Sequence, residues 1–187
     1  MVPRAIPAPE ERAIRFAEVR HSEGILVPKA FPTGKTALTV PANGKASFLL
    51  DQRELTMGYP VLIASGGRGA SATLTHAEGL YDAQNHKGNR DDIAGKTIKG
   101  LKDRISFDGG DARRFQSLWL RTWRYVQVDI QTADEPLRLD DIHFHGLSIP
   151  AACLLRQRPA LDRRHLEDRL ARLSPECVRD LLGHPLL

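Results

Sequence analysis

Tyr125-Val-Gln-Val-Asp-Ile-Gln131 alternates without a break: Val126, Val128 and Ile130 oppose Gln127, Asp129 and Gln131. A repeat of two is the repeat of a strand, and one apolar edge against one polar edge marks a strand half buried on a core. Shorter versions of the pattern lie on either side. Thr36 to Val40 puts Leu38 and Val40 on one face and is closed by Pro41 and the turn pair Asn43-Gly44. Lys45 to Leu50 places Ala46, Phe48 and Leu50 together, Tyr59 to Ala64 is an apolar run ended by Ser65-Gly66-Gly67, and Ala72 to Thr75 precedes AEGLYD. Leu137, Leu139 and Ile142 suggest one more strand. Residues 1 to about 34 carry Pro3, Pro7, Pro9, Pro28 and Pro32, which predicts an extended, loop-rich lead-in. Short strands separated by turns, with no long amphipathic helix before residue 150, predict an all-β fold, an antiparallel β-sandwich.

Composition fits one ordinary domain: 187 residues, 41% hydrophobic, 27% charged, formal net charge +4. Apolar content this normal argues against disorder. No apolar run approaches the roughly 18 residues of a membrane span, so no membrane association is expected. The N-terminal MVPRAIPAPEER has no apolar core of a secretory signal, which makes cytoplasm the default, with a periplasmic or secreted location open for a longer parent. A charge of +4 without a basic stripe does not imply nucleic acid.

The composition breaks near Pro150. From Ala151 onward there are ten leucines, seven arginines, no lysine and no aromatic residue, and both cysteines, Cys153 and Cys177, fall there. Leu161, Leu166, Leu170 and Leu173 lie near helical spacing, and Ser174-Pro175-Glu176 has a capping serine with proline at the first helical position. An irregular or short-helical C-terminal tail is therefore expected.

No cofactor or metal motif survives inspection. Phe31-Pro-Thr-Gly34-Lys35-Thr36 contains GKT, but a phosphate loop needs glycine where Lys29 stands. Gly67-Arg-Gly69-Ala-Ser-Ala72 loosely matches a dinucleotide fingerprint yet leads into a strand pattern, so it reads as a turn. The oxygen-rich Asp82, Asn85, Asn89, Asp91 and Asp92 offer calcium-type ligands, but Lys87 and Ile93 occupy the positions where an EF-hand has glycine and glutamate. A polar loop between strands is expected instead. His143 and His145 share a strand face with no third ligand placed by spacing, and read as strand histidines.

The densest chemical cluster is Phe115 to Tyr125, FQSLWLRTWRY, with Trp119 and Trp123 beside Arg121 and Arg124. Tryptophan faces stack on sugar rings and guanidinium groups bind hydroxyls or carboxylates bidentately, which makes a carbohydrate site chemically sensible. Packing of both tryptophans in a core, with the arginines paired to acids, is the alternative.

Four stretches, VPRAIPAPEE, TVPANGKASFLLDQRELTMGYPVLIASGGRGA, LTHAEGLYDAQNHKGNRDDIAGK and FQSLWLRTWRYVQVDIQTADEPLRLDDI, resemble in family order the bacterial α-L-rhamnosidases, inverting glycoside hydrolases, in the β-sandwich region before the catalytic barrel. AEGLYD…KGNR and LRTWRYVQV are the specific elements. The resemblance implies a concanavalin-like or jelly-roll sandwich over residues 1–146, packed in the parent against an (α/α)₆ barrel. In that chemistry one carboxylic acid protonates the leaving oxygen while a second carboxylate activates water. Both lie in the barrel, so no catalytic residue maps onto this sequence. The implied role is a catalytically silent, truncated fragment that leaves a barrel-facing surface exposed for self-association. A stand-alone carbohydrate-binding module for rhamnose-containing glycans is the other reading, with Trp119, Arg121, Trp123, Glu78, Asn89 and Arg90 as candidate substrate-binding residues. After residue 146 the family pattern stops. Shifted by one base, the codons of residues 147–187 permit a peptide ending ETYWDTPYY, which resembles the family's entry to the barrel, so a frameshifted tail is expected.

Overall fold

The computed structural model describes residues 10–148. Contact density divides the chain into Arg12–Gly146 and a unit made of Met1–Glu11 with Leu147–Leu187. The buried core, from Phe16 to Phe144, belongs to the first. The helices expected from Leu161 to Leu173 and from Ser174, both cysteines and nearly all of the frameshifted segment lie outside the described residues.

The strands in chain order are β1 (Glu10–Ile14), β2 (Glu18–Glu23), β3 (Leu38–Val40), β4 (Lys45–Gly66), β5 (Ser71–Ala77), β6 (Leu80–Tyr81), β7 (Thr97–Ile98), β8 (Leu101–Ser106), β9 (Arg113–Gln116), β10 (Arg121–Gln131) and β11 (Leu137–Ser148). The described residues form an all-β, antiparallel sandwich. Among them no helix is long and apolar enough to cross a membrane.

The alternating stretch lies in the middle of the sheet. Tyr125–Gln131 pairs on one side with Lys45–Asp51 of β4 and on the other with Ser71–Ala77 of β5, which pairs in turn with β8. Val126, Val128 and Ile130 are buried together with Phe48 and Leu50 from β4 and Ala72 and Leu74 from β5. The second half of β4 serves the opposite layer. Gly58–Gly66 pairs with β11, and Val61–Ala64 pairs with β9. Leu62, Ala64, Leu137, Leu139, Ile142 and Phe144 enter the same core from that side. One layer is therefore β2-β4-β10-β5-β8, and the other is β11-β4-β9 with β1 and β3 along β11.

The sequence suggests two strands, at Lys45–Leu50 and Tyr59–Ala64, where the structure has one of 22 residues. The polar interval between them is a corner. Arg53 takes φ 65°, a left-handed value unusual for a residue with a Cβ. It is held there because its N–H donates to Asp51 Oδ1 at 2.7 Å. The ladder to β10 slips at the same place, between Trp123 and Tyr125, as a bulge that turns one strand into a second layer does. At the other end, Gly66, Gly67 and Gly69 all have positive φ, so the segment that loosely matched a dinucleotide fingerprint is the tight turn from β4 to β5.

The lead-in also differs from expectation. It contains β1 and β2, whose sequences EERAI and EVRHSE lack apolar alternation. Pairing of β2 with β4 makes it a strand, an outcome set by tertiary contact and not by its own pattern.

Candidate functional site

Two groups of charged residues lie on the sandwich, and they are built differently. The first collects the segments that carry the rhamnosidase resemblance. Asp51, fully buried, accepts from Arg20 Nη1 at 2.9 Å and from Arg124 Nε at 3.0 Å. Arg124 also reaches Asp91 in the loop after β6, and the Tyr125 hydroxyl donates to the Arg90 carbonyl. Leu49, Leu80 and Tyr125 pack beneath that loop, with Ile93 and Ile98 against them. Hydrogen bonds that the Arg124 guanidinium donates to the Asp51 carboxylate, then to Asp91, hold it above its ordinary pKa. Arg124 in turn draws the Asp91 carboxyl below the usual range. Every charge here has a partner, as buried charge requires.

The oxygen-rich loop uses its acids in the same inward way. Asp82 Oδ1 accepts from the N–H of Gln84 and His86, Asn89 Oδ1 from Asp91, and Asp92 Oδ1 from Ala94. These are side-chain turns of the kind Asp and Asn favour. Among the described residues no group of three or more His, Cys, Asp or Glu is placed to hold a metal. His143 and His145 stack at 5.5 Å on the outer face of β11, and His143 Nδ1 lies 3.1 Å from Asp141, which Arg15 also engages.

The second group lines a cleft of about 560 Å³ where edge strands β8 and β9 of the two layers face each other. Leu62, Leu74, Ile105 and Phe115 give it an apolar lining, and Lys102, Arg104, Arg114 and Trp119 are exposed beside them. Trp119 is 73% exposed. Its backbone is nonetheless held: Ser117 Oγ donates to the Trp119 carbonyl at 2.9 Å, and the Ser117 N–H reaches the Pro60 carbonyl at 3.4 Å. The single acid among the described residues of the lining, Asp103, is taken by Arg121 through Nε at 3.0 Å and through Nη2. That bond raises the Arg121 pKa.

Behind Asp103 sits a buried histidine. His76 is 3% exposed, and neither ring nitrogen has a hydrogen-bond partner among the described residues. Nδ1 lies 3.7 Å from Asp103, and the ring packs edge-on against Trp123 at 5.7 Å. Burial lowers its pKa from 6.5 to about 4, against the raising influence of Asp103.

The six residues singled out in the sequence therefore separate. Trp123 is fully buried between Phe16, His76 and Phe144, so it takes the packing role and has no face for a sugar. Arg121 is spent on Asp103. Glu78, Asn89 and Arg90 belong to the loop between β5 and β8: Glu78 pairs with Lys87 at 3.5 Å, while the Asn89 and Arg90 carbonyls accept from Lys96 and Tyr125. Trp119 alone lies in the cleft. Sequence inspection missed Lys102, Arg104 and Arg114, because LKDRIS and RRFQ are short, polar edge strands with no repeat to betray them.

No family model matches the chain, and no curated protein matches it. Among solved structures, a rhamnosidase from Klebsiella oxytoca with rhamnose bound aligns with TM-score 0.52 at 13% identity, over 78% of this chain and 30% of that one. A GH78 family rhamnosidase of Bacillus sp. GL1 aligns with TM-score 0.46 at 16% identity, over 66% of this chain and 12% of that one. A fucose binding module of Streptococcus pneumoniae aligns with TM-score 0.43 at 13% identity, over 72% of this chain and 95% of the module. The match thus spans less than a third of either rhamnosidase, and the first likeness shows a shared fold.

Proposed function

We propose that this chain is the accessory β-sandwich of a rhamnosidase-like glycoside hydrolase, with a structural role and no turnover of its own. The observation that carries this is the meeting of Asp51, Arg90, Asp91, Arg124 and Tyr125 in one network. They come from FLLDQREL, KGNRDD and LRTWRY, the stretches that bear the resemblance. The side chains of Asp51, Asp91, Arg124 and Tyr125, with the Arg90 carbonyl, hold a loop on a sheet, which is scaffold work. The fold shared with part of the Klebsiella oxytoca enzyme supports the same reading. The paired carboxylates of the family's chemistry belong to a barrel that the resemblance places downstream. Purified chain is expected to release nothing from an aryl α-L-rhamnoside, and turnover that persists through repurification overturns the proposal. Sequencing the coding DNA provides the positive arm: the shifted frame should spell the family segment and run on into a barrel. Codons that do not spell it remove the frameshift.

A second reading, a sugar-binding module, is favoured by the exposed indole of Trp119, on a backbone held by Ser117, beside an apolar-lined cleft. Calorimetric heat with L-rhamnose that disappears in Trp119→Ala supports it. Silence with millimolar rhamnose leaves only the scaffold role.

A further inference from the structure

We propose that the open edge of β8 takes an extended acidic segment of another protein as an added strand. Its carboxylates would lie beside Lys102 and Arg104, and its alternate, apolar side chains would turn into the cleft. Neither turnover nor sugar binding bears on this surface. Among the described residues β8 pairs with β5 alone and β9 with β4 alone. The two edges face each other across the cleft of about 560 Å³. A strand with one neighbour leaves every second N–H and C=O outside the ladder, and that row is a template for another chain.

Register separates the two faces of β8. Asp103 and Ile105 lie opposite Leu74 and Ala72, which are buried in the core, so they face inward. Lys102 and Arg104 lie opposite Thr75 and Thr73 and face outward. Inward the cleft is apolar: Ile105 and Phe115 are only half buried, and Leu62 and Leu74 line it with them. Asp103 is engaged by two nitrogens of Arg121, so the one inward acid is already answered.

Charge selects the occupant. Lys102 and Arg104 have no ion pair or side-chain hydrogen bond among the described residues. At the other edge of the same layer, β2 answers its charges within the chain: Glu18 pairs with Arg53, and His21 Nε2 meets Glu23 at 2.9 Å. Cations on an edge strand ordinarily guard it against its own kind. A second copy laid antiparallel on β8, inward face inward, sets Lys102 of one copy opposite Arg104 of the other, or Arg104 opposite Arg104. Like charges directly opposite are destabilising, whereas glutamate or aspartate in those places is favourable. Ladder bonds give such a strand its affinity, and the alternation of acid and apolar side chains gives it its specificity.

The test is fluorescence anisotropy with the full chain at low salt and a labelled peptide of alternating glutamate and valine, as long as β8. The peptide should bind, and the Lys102→Glu/Arg104→Glu pair should weaken it by about tenfold or more. Both positions are exposed, and circular dichroism confirms that the variant folds. N-methylation of all the valines, or of all the glutamates, removes the donors along one edge of the peptide. At least one of the two forms should therefore fail to bind. Binding that survives both methylations is not strand pairing and overturns the proposal. Equal binding of a peptide with its glutamates in one block, or with lysine in place of glutamate, overturns it as well. Oligothymidylate that binds as tightly and is lost in the same variant assigns the edge to nucleic acid instead. Sedimentation of the chain alone should show no dimer that the variant dissolves; such a dimer makes a second copy the occupant and overturns the peptide. No change in anisotropy up to about 1 mM peptide overturns the proposal outright.

Discussion

The Asp51 network and the Trp119 cleft are both rich in arginine, and they differ in what the arginines face. Around Asp51 each guanidinium points inward to a carboxylate, from residues as far apart in sequence as Arg20, Asp51, Asp91 and Arg124. At the cleft Arg104 and Arg114 project from edge strands and meet no acid among the described residues. The first arrangement fixes a loop on the sheet; the second leaves charge available to something outside the chain. Residue type alone does not separate them, and pairing does.

The largest effect should come from breaking the network. Asp51→Ala leaves buried Arg124 without its main partner, which costs about 3–5 kcal/mol. Urea unfolding should show it, together with faster proteolysis of residues 82–96; a loss below about 1 kcal/mol would mean the network does not hold the loop. Trp123→Ala removes the largest fully buried side chain and should cost about 3–5 kcal/mol by the cavity it opens. Retained stability with lost sugar binding would reverse the assignment of Trp123 to the core.

His76 lies between the two regimes, buried like the network yet without a hydrogen bond among the described residues. Its folded pKa of about 4 lies below the ordinary 6.5. Between those values the unfolded chain takes up a proton that the folded chain refuses, so stability is full above pH 6.5 and falls as pH drops towards 4. The loss is on the order of 3 kcal/mol. His143, lowered by burial first, contributes in the same direction. His76→Leu should flatten most of this slope in urea midpoints taken at neutral and acid pH, and an unchanged slope would place the titration elsewhere. The smallest effect on stability is expected at the cleft: Trp119→Ala and Arg104→Gln should stay within about 0.5 kcal/mol of the parent. A larger loss would make the cleft part of the scaffold and erase the contrast.

Much of the fold was legible. Alternation at Tyr125–Gln131 and apolar runs at Lys45–Leu50, Tyr59–Ala64 and Ala72–Thr75 mark β4, β5 and β10, since a strand buried on one face must repeat every two residues. Of the strands that escaped, β1, β2, β8 and β9 are polar and lie at or near sheet edges, where burial imposes no repeat, and β6 and β7, two residues each, are too short to show one. The site was legible only in part. FQSLWLRTWRY announced aromatic and cationic chemistry, but Trp119 and Trp123 are four residues apart and look alike in sequence.

By itself, then, the sequence determined an antiparallel all-β chain with its apolar positions facing one core, because periodicity and turn residues act locally. Only the tertiary structure decided that two runs are one strand turning a corner at Asp51, that Trp123 is core and Trp119 surface, and that Arg121 is paired while Arg104 and Arg114 meet no acid among the described residues. Those outcomes depend on which distant carboxylate or edge strand lies opposite, and opposition across a sandwich leaves no mark in local sequence order.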